Sequence, residues 1–430
     1  MRHLLVIPAL LMGAHCVFAE GVISGVSGEN GRAGHQDGTG GGAVFNDPMG
    51  LARDAQGNLF VCDARNHVIR KISKTGVVTT LAGKAGEEGA VNGVGGNARF
   101  RFPADIAISP SGVLYVADSG NHCIRVVQAN GTVSTLAGDL GNANDVTTSY
   151  GRSYTAVAQN LDGTGSVARF NSPGGIVYSS SGLLYVSDTG NHSIRSVTLN
   201  GNVVTVAGKA GEWGSVNGTG TSARFDSPMG LCMGADGNVY IADSGNHSIR
   251  SMTPNGVVTT FSGSVSVVGF QTGPRLDARY RSPSDITPHP EGGFIICEAF
   301  GNVIFRVNGS GMVSVLSGDG SKPQSSLSGP SSVVCDDLGN VYVADTFNQE
   351  VVLVIEKFEM SISKAGGSNQ LTLTWDSLPG RDYRLQILGD AGWGNAPGDV
   401  VRATAKSASI SFPIPANQPK GIYRILLLGY

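Results

Sequence analysis

The sequence is poor in charge and lacks any long apolar run beyond its first residues. Charged residues make up 15% of the 430 residues, below the usual quarter, and the formal net charge is -3. A chain with so little positive charge offers no basic field to a phosphate backbone, so we expect no nucleic-acid partner. After residue 19 there is no run of 18 apolar residues, so we expect no membrane span.

Cysteine is scarce, and its spacing fits neither a disulfide scaffold nor a zinc ribbon. Without Cys16, which lies in the predicted leader described below, five cysteines remain and none forms a C-x-x-C pair. Cys62 and Cys297 stand where other copies of an internal repeat carry Ala or Ser. We therefore expect them to be small buried residues.

The first 19 residues have the pattern of an export signal. Arg2 and His3 precede an apolar run, and the segment ends in Val17-Phe18-Ala19 with small residues where a signal peptidase cleaves. A lipid-anchored alternative at Cys16 is disfavoured by His15. We predict cleavage after Ala19 and a protein that is periplasmic, at the cell surface or secreted.

The chain is rich in glycine, with 63 residues. It also contains an internal repeat that occurs six times. Each copy has an apolar strand that ends in an acidic residue, and a proline column repeats the same intervals. The acidic residues are Asp63, Asp118, Asp188, Asp243, Glu298 and Asp345. Each unit predicts four short antiparallel strands separated by Gly and Asn turns, without helical periodicity. Such a sheet buries its faces only against its neighbours, so the repeats predict an all-β, six-bladed β-propeller.

The two ends of the repeat region predict how the ring closes. Residues 21–28 align with the fourth strand Gly76–Gly83, whereas the sixth repeat stops after its third strand, Val351 to Ile355. We expect the N-terminal strand to complete blade six, which would remove exposed sheet edges.

Four copies contain the signature Asn-His-x-Ile-Arg, at residues 66–70, 121–125, 191–195 and 246–250. Together with the preceding Ala-Arg-Phe-x-x-Pro, this resembles the NHL repeat family over about residues 21 to 355. The resemblance implies a propeller over residues 20–355. Blades five and six depart from the signature because they lack the histidine.

From residue 356 a different pattern begins. Segments such as Leu371–Trp375 and Asp382–Ile387 alternate at period two between proline-rich turns. The pattern is similar to small fibronectin-III-like sandwiches, so residues 356–430 are predicted to form a small β-sandwich that spaces, docks or anchors the propeller.

The repeated histidines His67, His122, His192 and His247 predict scaffold rather than a metal site, because equivalent residues of successive blades are spread around a ring. We expect each acidic residue to accept backbone N–H bonds across its turn, and Asn121 to adopt a left-handed conformation.

Catalytic propellers place their ligands at the central channel. The repeat positions that we expect to line this channel are nearly all apolar. Their only carboxylates are Asp105 and Asp285, weak candidates for a metal site. We expect no cofactor, with structural or catalytic calcium or zinc left open. A metal-dependent hydrolase or lyase, lactonase-like or amidating-lyase-like, remains the alternative function.

Specificity is expected where the repeat loses its symmetry. The middle of the turn after the acidic residue is Gly in blades two to four, but Arg65, Phe300 and Phe347 in blades one, five and six. Loop residues Trp213, Phe270, Tyr150 and Tyr154 add further aromatic candidates. Aromatic rings and arginine at exposed turns are typical of binding sites, although the two phenylalanines could merely cover their turns. The sequence favours an exported monomer that binds a protein or glycan outside the cytoplasm.

Overall fold

The computed structural model describes residues 4–6, 15–17, 22–138, 160–318, 327–355 and the strands of residues 359–428. The regular structure in this part of the chain consists of β-strands and three-residue 3-10 turns. No helix among these residues has the length and apolar character needed to cross a membrane. The chain divides into two compact units, residues 27–352 and residues 1–26 with 353–430.

Six antiparallel sheets form the blades of the predicted propeller. Counted from the inner strand outwards, blade one contains Pro48–Arg53, Leu59–Asp63, Val68–Ile72 and Val77–Gly83; blade two contains Pro103–Ile108, Leu114–Asp118, Cys123–Val127 and Thr132–Ala137; and blade three contains Gly175–Tyr178, Leu183–Asp188, Ser193–Thr198 and Asn202–Gly208. Blade four contains Pro228–Met233, Val239–Asp243, Ser248–Met252 and Val257–Ser262; blade five contains Pro283–Pro288, Phe294–Glu298, Val303–Val307 and Met312–Ser317; and blade six contains Pro330–Cys335, Val341–Asp345, Glu350–Ile355 and Val22–Gly28. The predicted six-bladed, all-β fold is confirmed.

Blades one to five each gain a fifth strand that the repeat did not predict. This strand has two residues and pairs with the outer strand, as Gly93–Val94 does with Thr132 and Val133. The other four are Gly38–Thr39, Gly163–Thr164, Gly218–Thr219 and Gly273–Pro274. In blades one to four this strand comes from an Asp/Asn-Gly-x-Gly sequence and is followed directly by a 3-10 turn; in blade five it comes from Thr272-Gly273-Pro274.

The N-terminal strand closes the ring as predicted. Val22–Gly28 is the outermost strand of blade six, beside Glu350–Ile355. Just after it, the Gly31 N–H donates to the carbonyl of Asn348 at 2.8 Å, and Asn30 Nδ2 donates to Glu350 Oε1 at 3.1 Å. The first and last strands of the propeller therefore share one sheet.

The hydrophobic core lies between the blades. One buried cluster joins Cys62 and Ile69 of blade one to Phe100 and Val116 of blade two, and equivalent clusters join the next three pairs of blades. Cys62, Cys123, Cys232 and Cys297 are fully or almost fully buried, as expected for small apolar side chains. No blade can bury its faces without its neighbours, which is why the repeats fold only as a ring.

The second unit contains two antiparallel sheets. One contains Asp382–Gly389, Gly392–Asn395, Val401–Arg402, Tyr423–Leu428 and Leu4–Val6, and the other contains Glu359–Lys364, Gln370–Asp376, Ser407–Pro413 and His15–Val17. The resemblance to fibronectin type III stays a prediction. Leu4–Val6 and His15–Val17 belong to the predicted signal peptide, so its removal would take one edge strand from each sheet.

Candidate functional site

Blades one to four share a buried ion pair between the acidic residue and the arginine of the repeat signature. In blade two, Arg125 Nη1 donates to Asp118 Oδ2 at 2.9 Å, and both side chains are fully buried. The same guanidinium donates to the carbonyls of Arg99 and Val91 and to Asn92 Oδ1 at 2.8–3.0 Å. Equivalent pairs are Asp63 with Arg70, Asp188 with Arg195 and Asp243 with Arg250.

Two further contacts complete this network. Asp118 Oδ1 accepts from the Arg101 N–H, and Asn121 Nδ2 bridges Asp118 Oδ2 and the Gly89 carbonyl. The Arg125 guanidinium carbon lies 5.2 Å from the Phe100 ring centroid, a cation–π contact repeated in blades one, three and four. Burial raises the pKa of Asp118 to about 6, although the arginine and the N–H donors act in the opposite direction. These contacts hold the turns in place.

The histidines of the signature connect consecutive blades. The Nδ1 atoms of His67, His122 and His192 accept from the N–H groups of Phe102, Ser172 and Ser227 in the next blade, at 2.9–3.2 Å. An accepting Nδ1 carries no proton, and burial lowers the pKa of His67 and His192. His247 differs, since its Nδ1 contacts the Arg281 carbonyl.

One detail of the turn prediction is wrong. The left-handed residue is the histidine, with φ 53° at His122, and not Asn121. The Asn121 side chain is instead fixed by its two acceptors. The acidic residue also accepts from the loop before its own blade rather than from across its turn.

Blades five and six preserve the link between blades with other residues. Asn302 Oδ1 accepts from the Gly329 N–H at 2.8 Å, and Gln349 Oε1 accepts from the Asp47 N–H at 2.6 Å. Both residues have the left-handed conformation of the histidines, with φ 55° and 62°. The sequence indicates these roles, because Asn302 and Gln349 lie four residues after the acidic residue, where the other repeats have histidine.

The same two blades lack the arginine of the ion pair. Phe305 and Val352 occupy its place, seven residues after Glu298 and Asp345. Glu298 is fully buried, and its Oε2 has no hydrogen-bond partner among the described residues. Burial raises the pKa of Glu298, and raises that of Asp345 to about 7. The buried carboxyls of blades five and six therefore lack the arginine partner of the other blades, although the Arg281 charge partly opposes the rise in the pKa of Glu298.

At the axis, Asp105 and Asp285 act as braces between inner strands. Asp105 Oδ2 accepts from the Ile176 N–H at 2.8 Å, and Asp285 Oδ2 accepts from Ser332 Oγ and the Val333 N–H at 2.7 and 2.9 Å. A Cβ at Gly50 would lie 2.4 Å from Asp105 Cα. Glycine is therefore required where the inner strands of blades one and two approach each other.

A cavity of about 280 Å³ continues along the axis from these aspartates. Its walls are mainly apolar, with Ile106, Val177 and Leu231 among the lining residues. Burial raises the pKa of both Asp105 and Asp285, and the Asp285 charge adds to the effect on Asp105. No group of three or more potential metal ligands is present in the described part of the chain.

One face of the propeller carries the exposed candidates. Phe300, Phe347 and Trp213 are 79%, 65% and 71% exposed, and the Arg65 side chain is 57% exposed. Asn246 Nδ2 donates to the Gly214 carbonyl at 2.7 Å, which places the Trp213 loop beside the turn of blade four. Blades four, five, six and one, which are consecutive in the ring, thus present these side chains. We call Trp213, Phe300, Phe347 and Arg65 the turn-face arc.

The other candidates are placed differently. Phe270 packs against Phe305, with ring centroids 5.6 Å apart, so it covers the phenylalanine that replaces the arginine. The Phe347 ring lies close to Gly329, where a Cβ would meet it at 2.4 Å. Arg65 Nε donates to Asp47 Oδ2. Tyr150 and Tyr154 lie outside the described residues.

Comparison with known proteins agrees with the repeat. The NHL repeat model matches residues 100–127, 170–195 and 225–250. NHL repeat-containing protein 2 of Bos taurus is 36% identical over 176 residues, covering 38% of this chain and 22% of that protein. This chain therefore spans about a fifth of that relative's length.

Two solved structures from Bacteroides thetaiotaomicron show the same fold at low identity. A protein of unknown function has a TM-score of 0.57 at 19% identity, covering 80% of this chain and 76% of the other. An auxiliary nutrient binding protein has a TM-score of 0.56 at 12% identity, covering 77% and 75%. With the six sheets, these matches identify the chain as a six-bladed β-propeller that contains NHL repeats in blades two, three and four.

Proposed function

We propose that this protein is an exported binding propeller that recognises a protein or a glycan at or outside the cell envelope. The observation that carries the proposal is the turn-face arc, in which three large aromatic rings and an arginine are exposed on four consecutive blades. Isolated exposed apolar residues are common, but aromatic rings and arginine on one face are the residue types that dominate binding energy.

The hydrogen bonds of the two axial aspartates also support binding over catalysis. The oxygens of Asp285 are engaged by Ser332 Oγ and backbone N–H groups, and one oxygen of Asp105 is engaged by Ile176. The bonds to Ser332, Val333 and Ile176 connect blades, so the two aspartates have a structural role that accounts for their presence.

Partner capture tests the role of the arc. Mature protein, residues 20–430, is immobilised, and retention of envelope proteins and polysaccharides from the producing cells is compared with that on the double variant Phe300→Ser/Phe347→Ser. We expect retention to fall about tenfold or more while the melting temperature changes little. Met312→Ser, an exposed side chain on the outer strand of blade five (45% exposed), is the matched control. A large loss of stability with unchanged retention would show that the two rings only cover their turns.

Export is tested separately. N-terminal sequencing of the protein recovered from the producing cells should begin at Glu20. An intact Met1 in a cell-associated protein would contradict export while leaving the binding role open.

A further inference from the structure

Blade five differs from blade two by the loss of two surface glutamates beside two retained arginines. In blade two, Arg99 Nη2 pairs with Glu87 Oε2 at 2.6 Å, and Arg101 Nε pairs with Glu88 Oε2 at 3.3 Å. In the repeat alignment the arginines correspond to Arg279 and Arg281, whereas the glutamates correspond to Val267 and Val268. The substitution removes both acids and keeps both cations.

The two arginines of blade five are exposed. No ion pair or side-chain hydrogen bond is formed by Arg279 or Arg281 within the described part of the chain, in contrast to Arg99 and Arg101. The Arg279 methylenes pack on Gly269, where a Cβ would lie 3.2 Å from its Cδ. The Arg279 guanidinium is thus supported beside the loop of Val267 and Val268.

Apolar side chains surround these cations. Val267 and Val268 are 41% and 61% exposed, and Phe300 is 79% exposed. The Phe300 turn adjoins Arg281, since the Ala299 N–H donates to the Ser282 carbonyl at 3.3 Å and Glu298 Oε1 accepts from the Ser282 N–H at 2.8 Å. Two unpaired guanidinium groups therefore border an exposed apolar patch on one blade.

From this arrangement we infer that Val267, Val268, Arg279, Arg281 and Phe300 form a docking site for a protein segment that presents acidic side chains next to an apolar one. Guanidinium groups bind carboxylates through charge-assisted, often bidentate, hydrogen bonds. The valines and Phe300 offer an apolar contact area beside these cations, and a peptide segment can cover it with an apolar side chain while its carboxylates bind the guanidinium groups. The Arg281 charge opposes the rise in the pKa of Glu298, but this carboxyl is fully buried and no ion pair joins the two side chains among the described residues.

The inference rests on the proposed binding function and narrows its partner to an acidic protein segment. Its test is the double variant Val267→Glu/Val268→Glu, which restores the blade-two pattern and leaves every arginine and phenylalanine in place. The new glutamates should pair with Arg279 and Arg281, so the melting temperature should stay equal or rise while binding of acidic peptides is lost.

The probe is a random peptide library displayed on phage and selected on the full mature protein. We expect enriched peptides that combine Asp or Glu with an apolar residue, and a fall of at least about tenfold in their affinity for Val267→Glu/Val268→Glu and for Arg279→Glu/Arg281→Glu. The matched control, Arg99→Glu/Arg101→Glu, makes the same charge change on the same face of blade two and should bind as the wild type does.

Three outcomes would overturn the inference: no enrichment of acidic peptides, equal binding by the Val267→Glu/Val268→Glu variant, or a preference for an acidic polysaccharide over the peptides. If capture of a natural partner depends on Phe300 and Phe347 but not on the valine-to-glutamate change, the proposed function stands and only the acidic segment is wrong.

Discussion

Gln349 accepts a hydrogen bond from the backbone N–H of Asp47, a residue 302 positions earlier in the chain. The amide also returns a bond, since Gln349 Nε2 donates to Asp47 Oδ1 at 3.0 Å. This pair does for blades six and one what a histidine does between the earlier blades.

Replacing Gln349 should weaken ring closure. Gln349→Ala leaves the Asp47 N–H without its acceptor, so we expect a loss of about 1–3 kcal/mol in the free energy of unfolding, measured with urea. Gln349→His supplies the acceptor that blades one to three use and should retain most of the stability. Gln56→Ala, on an exposed turn, is the control. If the alanine and histidine variants were equally unstable, the hydrogen bond would not be the cause.

Breaking a buried ion pair should cost far more than breaking an exposed one. Arg195→Met strands the fully buried Asp188 carboxylate, and we expect a loss of about 3–5 kcal/mol. Arg32→Met removes an exposed pair with Glu29 and should cost at most about 1 kcal/mol. Urea unfolding of both variants checks this. The double variant Asp188→Asn/Arg195→Met should recover part of the loss, and equal costs for the two single variants would contradict the account.

A single methyl group at the axis should be destabilising. Gly50→Ala places a Cβ 2.4 Å from Asp105 Cα and 2.8 Å from the Ala104 carbonyl oxygen, both backbone atoms that cannot move independently. We expect a loss of at least about 1–3 kcal/mol, seen as a lower melting temperature. At Gly96 a Cβ would meet nothing within 4 Å, so Gly96→Ala should be neutral. A neutral Gly50→Ala would mean that the inner strands have room to separate.

The sixth blade should lose stability as pH rises towards neutrality. The pKa of Asp345 is about 7 in the fold, raised by burial from its ordinary value of 3.8. The folded state therefore favours the protonated carboxyl, so this contribution to stability is complete below pH 4 and is lost as pH rises through 7. Asp345→Asn has no charge to gain, and between pH 5 and 8 its free energy of unfolding should fall less than that of the wild type. Parallel curves for the two proteins would contradict this.

The sequence predicts the fold well because it repeats. The acidic residue, the proline and Asn-His-x-Ile-Arg recur at matching intervals. The strands predicted from Leu114 to Ala137 in blade two can therefore be assigned to the equivalent residues of every other blade. The missing fourth strand after Ile355 and the extra strand at Val22 predicted the closure in the same way. The two-residue fifth strands were not predictable, since Gly-Val or Gly-Thr carries no alternation from which a strand can be recognised.

The site was less predictable, because it depends on which side chains already have partners. Sequence comparison singled out Phe300 and Phe347 as departures from glycine, and the structure adds that Phe347 lies against Gly329. Arg279 and Arg281 escaped attention because both keep the residue type of blade two; what changes is the pair of glutamates that neutralises them there. These two arginines can be recognised only when each arginine position of the repeat is compared together with the glutamate position that pairs with it.

Closure by the N-terminal strand also sets an order on folding. Val22–Gly28 precedes every other strand of the propeller in the chain, yet its place beside Glu350–Ile355 exists only after the third strand of blade six has been made. Until then the third strand of blade six keeps an open edge, and open edges recruit other chains. Contacts so distant in sequence also form slowly. A propeller of this design should therefore be most prone to aggregation just before its N-terminal strand pairs with blade six. Anything that delays this pairing would prolong that interval.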